Sequence, residues 1–265
     1  TMNLTEPHAG TDLGMLKSRA EPNGDGSYSI TGTKIFISCG EHEMSENIVH
    51  LVLAKLPDAP AGTKGISMFI VPKFLVNDDG SLGERNSLKC GSVEHKMGIK
   101  ASATGVMNYE GATGYLIGAE HGGLKAMFTM MNAARLGVGV EGLAKAALAY
   151  QYATDYAKER IQGRALTGPQ DPDKPADNIL VHPDVRKMLL KIRGFVGGGS
   201  LLAGYCAMML DVRDKHADDD TRTRAEDIVS LLTPVIKAFF TDEGFRGANL
   251  GMQCYGGHGY IVEWG

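Results

Sequence analysis

Two hydrophobic periods divide the chain. Up to about residue 118, apolar residues come in short runs cut by Gly, Pro, Asn and Asp. Asn23-Gly24-Asp25-Gly26 precedes Tyr28-Ser29-Ile30-Thr31, and Gly32 parts that run from Lys34-Ile35-Phe36-Ile37-Ser38. Such punctuation between β-prone runs predicts antiparallel strands. Further strands are predicted over 48–54 and 66–71, and the unbroken Ile48-Val49-His50-Leu51-Val52-Leu53 predicts a sheet covered on at least one face. From Gly123 the period lengthens to about 3.6, through Leu124, Met127, Phe128, Met131, Leu136, Val140, Leu143, Ala147 and Tyr150, which predicts a long helix to about 160. A second helix is predicted from His182-Pro183, where Pro suits a first turn, past Leu210. A third is predicted over about 224–255, kinked at Pro234. The proline-rich stretch 167–178 reads as a long loop, and Asp218-Asp219-Asp220 as a solvated turn. The expected fold class is therefore α+β in two domains. An antiparallel β-barrel or sandwich spans 1–118, and an α-helical bundle spans 119–265.

Composition narrows the function. A chain of 265 residues with 43% hydrophobic content can bury one large core or two modest ones. Its 27 basic and 31 acidic residues give a net charge of −4, without the basic surplus that nucleic acid or an anionic membrane surface would need. Cys39, Cys90, Cys206 and Cys254 lie far apart, in neither a zinc nor a disulfide pattern, which points to a reducing compartment. The 8 histidines are scattered, so no metal is expected. No apolar run of bilayer-spanning length is expected either. Residue 1 is Thr and the opening residues read as the interior of a motif, so the chain is expected to be a piece of a longer protein.

Gly137-Val138-Gly139-Val140-Glu141-Gly142 spells a dinucleotide-binding fingerprint, but that fingerprint works only between a strand and a helix start. Here the preceding 127–136 is helical, and the small residues are read as a close helix contact. Leu4-Thr5-Glu6-Pro7-His8-Ala9-Gly10-Thr11-Asp12 is a turn rich in small and hydroxyl residues, able to present N–H groups and a hydroxyl to a flavin edge or a pyrophosphate. Phe36-Ile37-Ser38 pairs an aromatic wall with a hydroxyl; by itself, Phe36 reads as core. Arg160-Ile161-Gln162-Gly163 offers a guanidinium suited to a phosphate. Gln253-Cys254-Tyr255-Gly256-Gly257 is a glycine-rich helix end, followed by Gly259-Tyr260-Ile261-Val262-Glu263-Trp264.

Taken together, these segments resemble the acyl-CoA dehydrogenase family over nearly the whole chain. The family's Arg-x-Gln-Phe-Gly segment is matched with Gly163 in place of Phe, and its histidine-glutamine pair appears as His182-Pro183. Asn3 and Met15 stand where the family has small residues. The loop around 170–178 and His182-Pro183 are similar to the larger bacterial branch of the family, which includes 3-methylmercaptopropionyl-CoA dehydrogenases. The resemblance implies FAD as cofactor, held by Asn3, Leu4, Thr5, Gly10, Thr11, Phe36, Ile37, Ser38, Arg160, Gln162, His182, Gln253, Gly256 and Gly257. It implies acyl-CoA as substrate, met by Thr11, Arg135, Tyr260 and Glu263. Some members carry the base just before the arginine matching Arg135, but position 134 is Ala, so Glu263 is the implied catalytic base.

In the implied reaction Glu263, desolvated beside Trp264 and Tyr260, takes the α-proton while flavin accepts the β-hydride. Electron-transferring flavoprotein is the implied electron acceptor, and a homodimer or homotetramer the implied assembly. The resemblance also implies an N-terminal helical domain, which would precede residue 1 of this chain. The bacterial cytoplasm, or the mitochondrial matrix in a eukaryote, is the implied location. An acyl-CoA oxidase reducing oxygen and a non-catalytic flavin- or CoA-binding scaffold stay open on the sequence.

Overall fold

The computed structural model describes residues 1–264. It divides into two compact units, Thr1–Met130 and Met131–Gly265. The division falls inside a helix because the start of that helix belongs to the first unit: Gly123 lies against the backbone of Ser67 and Met68, and the His121 amide donates to Ser67 Oγ.

The first unit is a β domain. Its strands are β1 (Met2–Asn3), β2 (Arg19–Pro22), β3 (Tyr28–Ser38), β4 (Val49–Lys55), β5 (Ile66–Pro72), β6 (Phe74–Val76), β7 (Leu82–Arg85), β8 (Leu88–Val93) and β9 (Thr104–Ile117). The main sheet runs β1-β4-β2-β3-β9-β5, and β4 also pairs with β5, so the sheet closes on itself; β8 adds to β9 and β6 pairs with β7. The sheet is not wholly antiparallel as the sequence predicts, since β1 and β2 both lie parallel to β4. Tyr28–Thr31 and Lys34–Ser38 form one strand, with no break at Gly32. The core gathers Ile30, Ile37, Val52, Phe69, Met107 and Tyr109.

β3 carries the feature that matters for function. Its register against β9 shifts between Lys34 and Ile37, and Phe36 has φ of 60°. A bulge of this kind re-aims side chains. Lys34 and Ile37 thus both turn inward, while Phe36 turns out and is 61% exposed, against the core position read from sequence.

The second unit is built by α1 (Gly123–Glu159), α2 (Pro183–Lys215) and α3 (Asp219–Cys254). α3 begins earlier than the pattern predicts because Asp218 caps it, its carboxylate accepting from the Thr221 amide at 2.8 Å, so Asp219 and Asp220 are first-turn residues and not a solvated turn. The helix continues through Pro234. The fingerprint-like glycines lie inside α1, where Gly139 and Gly142 let α3 approach. A Cβ on Gly142 would meet Phe240 O at 2.5 Å, and one on Gly244 would meet Gly142 O at 2.4 Å. Gly142→Ala is expected to destabilise by about 1–3 kcal/mol through this overpacking. Gly137→Ala, where a Cβ meets nothing within 4 Å, should instead stabilise by about 0.5–1 kcal/mol. Denaturant midpoints that move alike for the two variants would refute this account of the α1–α3 contact.

α2 corrects another expectation. It is long and apolar enough to cross a membrane by length and composition, with mean hydropathy 1.4 over its best window. The cause is the uncharged, glycine-rich run 194–210, and part of it packs in a helix core, where Cys206 joins Ile236, Phe240 and Leu143.

Candidate active site

In the β domain, residues 1–5 run beside the end of β3. Thr1 Oγ1 donates to Ser38 O at 2.6 Å, the Ile35 amide donates to Thr5 O at 2.9 Å, and Lys34 Nζ donates to Leu4 O at 3.2 Å. Leu4, Thr5, Phe36, Ile37 and Ser38 consequently line one cavity of about 710 Å³. Four of the predicted cofactor residues, Asn3, Gly10, Thr11 and Ile37, enter it only partly or not at all. The Ile37 side chain is in the core, leaving its backbone for the cavity. Asn3 is fully buried, accepting from Tyr109 Oη at 2.8 Å and lying 3.4 Å from His50 Nδ1. Its side chain therefore fastens β1 to the barrel and does not line the cavity. Burial pulls the His50 pKa down to about 4, which keeps this network uncharged at neutral pH. Gly10 and Thr11 are exposed on the following turn and do not line the cavity.

What shapes that turn is a buried ion pair the sequence reading missed. Glu6 is 4% exposed and Lys34 fully buried, with Lys34 Nζ 2.9 Å from Glu6 Oε1. Glu6 also accepts from the Lys17 amide at 2.7 Å, the Ser18 amide at 3.0 Å and Ser18 Oγ at 2.5 Å. Burial works against the Glu6 charge, but Lys34, Ser18 and the Lys17 amide outweigh it and hold the carboxyl at about 2. Burial pulls Lys34 down to about 8 despite Glu6 beside it. One signal was available: strand alternation puts Lys34 on the same face as Ile30.

In the helical unit, Arg160 is exposed just beyond α1. His182 Nε2 lies 2.7 Å from Gln162 O, so that nitrogen carries the proton and supports the chain; a ligand has only the other ring nitrogen. Gln253 Nε2 donates to Tyr260 Oη at 2.5 Å, tying the end of α3 to the segment that bears the expected base. Gly256 has φ of 59°, and a Cβ on Gly256 or Gly257 would meet nothing within 4 Å, so this backbone is open to a close approach.

The final segment is two short 3₁₀ turns, Gly256–Tyr260 and Val262–Trp264. Its seat is aromatic. Tyr156 stacks on Tyr255 at 4.2 Å, its hydroxyl lies 3.1 Å from His258 Nδ1, and His258 meets Trp264 at 4.5 Å. Glu263 lines a cavity of about 670 Å³ with Lys145, Tyr152, Tyr255 and Trp264. It is exposed, not desolvated by its neighbours as the sequence suggested, and Tyr260 is 65% exposed. Arg135 is not among the described residues lining this cavity; its Nη1 donates to Asn132 Oδ1 at 3.2 Å.

Two family profiles cover almost all of this chain: the acyl-CoA dehydrogenase middle domain matches residues 1–112 and the acyl-CoA dehydrogenase C-terminal domain residues 121–265. The chain belongs to the acyl-CoA dehydrogenase family. It is 49% identical over its full length to 3-methylmercaptopropionyl-CoA dehydrogenase of Ruegeria pomeroyi, and 37% identical to a butyryl-CoA dehydrogenase of Syntrophomonas wolfei. It spans 44% of the length of each of these relatives. The same fold occurs in ACDH-11 of Caenorhabditis elegans, solved with C11-CoA, at a TM-score of 0.81 and 22% identity over 99% of this chain and 41% of that one.

Acyl-CoA dehydrogenases are flavin-dependent, and the residues present suit that group. An exposed aromatic ring, Phe36, stands at a cavity that also offers the Thr5 and Ser38 hydroxyls, and the helical unit offers an exposed guanidinium and an open glycine backbone.

Proposed function

We propose that the protein is an FAD-dependent acyl-CoA dehydrogenase that introduces a double bond between the α and β carbons of an acyl thioester, with Glu263 as base. The observation that carries this reading is Glu263 itself: the carboxylate of the Gly-Tyr-x-x-Glu segment lines a cavity walled by Tyr152, Tyr255 and Trp264. Bound FAD supplies the acceptor for the β-hydrogen and its electron pair. Glu263 takes the α-proton on a carboxylate oxygen as that C–H bond breaks and the C=C bond forms. A carboxylate in water is a weak base for this step. A thioester filling the aromatic cavity would strip water from Glu263 and strengthen it. Phe36 would cover one flavin face, Thr5 and Ser38 would donate to its polar edge, and Arg160 would offset the diphosphate charge.

Electron-transferring flavoprotein is the proposed acceptor of the electrons. A short, sulfur-containing acyl-CoA is the first substrate to test, on the strength of the 49% identity above. A homo-oligomer is supported by large apolar side chains left exposed on α2 and α3, including Leu190, Leu201, Leu231 and Phe245. A reducing cytoplasm suits four free cysteines, two of them buried. The test is anaerobic addition of butyryl-CoA and 3-methylmercaptopropionyl-CoA to the flavin-loaded protein, followed by flavin absorbance. Bleaching is expected. Flavin that neither thioester bleaches would sink the activity, and peroxide formed in step with product in air would reassign the electron acceptor to oxygen.

A further inference from the structure

Residues 160–178, between α1 and α2, form an ordered cage around one carboxylate. Asp177 has a side chain 1% exposed. Its Oδ1 accepts from the Gln170 amide at 3.0 Å, the Asp171 amide at 2.9 Å and Arg164 Nη1 at 3.2 Å, and its Oδ2 accepts from the Ala165 amide at 2.9 Å. Arg164 clasps the same loop from outside, donating to Asp171 O and Lys174 O. The backbone of Asp177 holds the other side. Its carbonyl accepts from the Gln162 amide at 2.9 Å and its amide donates to Gly163 O at 2.9 Å. An antiparallel bridge joins Ile161 to Asn178, and the Ile179 amide donates to Arg160 O at 2.9 Å.

We infer that Asp177 is a positioning residue for cofactor binding: its buried carboxylate fixes the loop whose backbone sets the direction of Arg160 and Gln162. The inference rests on the proposal that Arg160 meets the FAD diphosphate. The physical case is one of division of labour between two arginines. Arg164 is consumed inside the cage, where its charge meets Asp177, whereas Arg160, on the strand-like segment paired to Asp177, is left exposed. A guanidinium on a free loop would have to be ordered on binding. One whose backbone is held by paired hydrogen bonds from 160 to 163 is ordered beforehand, and that difference appears as cofactor affinity. Replacing the carboxylate with an amide sets an N–H₂ donor among donors, so the loop must open to relieve it. Nothing in the cage reaches Glu263 in these contacts, so the chemical step with FAD bound should be untouched.

The test is the FAD dissociation constant of the intact flavoprotein, measured by reconstitution of apoprotein and flavin fluorescence, for Asp177→Asn, Arg160→Ala and the double variant. Arg160→Ala is expected to weaken FAD by about 10- to 100-fold, the loss of charge-assisted bonds to a phosphate. Asp177→Asn is expected to weaken FAD by about tenfold, to keep kcat at saturating FAD within about twofold, and to add almost nothing in the Arg160→Ala background, because the two act through one contact. A tenfold loss from Asp177→Asn that persists undiminished without Arg160, or no loss at all, overturns the inference while leaving Arg160 in its role. FAD affinity unchanged by Arg160→Ala overturns the underlying assignment of Arg160 and the inference together. If Asp177→Asn does not fold, Arg164→Met, which leaves the three amide donors on Asp177, carries the same double-variant comparison with the same outcomes.

Discussion

Glu263→Gln in the flavin-loaded protein should lower the rate of flavin bleaching by acyl-CoA by about 10²- to 10⁴-fold, the usual worth of a placed general base. The amide keeps the shape of the side chain and cannot accept the α-proton. Because Glu263 is exposed on a short 3₁₀ turn, the substitution removes no buried partner, and the melting temperature should stay at its wild-type value. The segment is seated by Tyr156, Tyr255, His258 and Trp264, none of which contacts are altered. Stopped-flow absorbance under anaerobic conditions separates the chemical step from substrate binding, which a change that conserves side-chain shape should leave within a few-fold. A variant that bleaches at the wild-type rate would remove Glu263 from the mechanism and leave the catalytic base to another residue.

The largest expected effect on stability comes from Lys34→Met. Taking away the ammonium leaves the Glu6 carboxylate buried against Ser18 and two amides without its buried counter-charge, a loss of about 3–5 kcal/mol when one partner of a buried pair is removed. Replacing both partners, Lys34→Met with Glu6→Gln, should cost less than Lys34→Met alone, because no uncompensated charge remains. The pH dependence follows from the depressed Glu6 carboxyl. Its folded value of about 2 lies below the ordinary 4.5, so the unfolded chain binds the extra proton first. The stabilisation is complete above about 4.5 and is lost as pH falls through about 2. Lys34→Met should flatten this acid limb. Urea midpoints across pH 2–7 measure both effects, and a single variant no less stable than the double would show that the pair is not what holds the 6–18 turn. Damage to that turn should extend to the cavity lined by Leu4 and Thr5, since Lys34 Nζ also bonds Leu4 O.

Much of the candidate site could be read along the chain because its signals are local. The change of period at Gly123 coincides with the start of α1. The glycines of 137–142 lie within a helix, and Gly139 and Gly142 meet another helix, as their helical context required. Glu263 and Gly256-Gly257 follow a helix that ends at Cys254, so the order helix, glycine stop and carboxylate is fixed by neighbours in sequence.

Other features required the tertiary structure. Phe36 is exposed because a register shift against β9 rotates β3, and registers are set by the partner strand, which no local pattern reports. Asn3 faces inward because Tyr109 and His50 wait for it across the barrel. The Glu6–Lys34 pair and the Asp177 cage arise where the fold buries a charge and folds a turn or loop around it to supply its donors. A sequence records which groups could ionise or alternate faces. Which of them lose water, and what replaces it, is decided only when separate segments close around them, because burial and hydrogen-bond satisfaction belong to the packed chain.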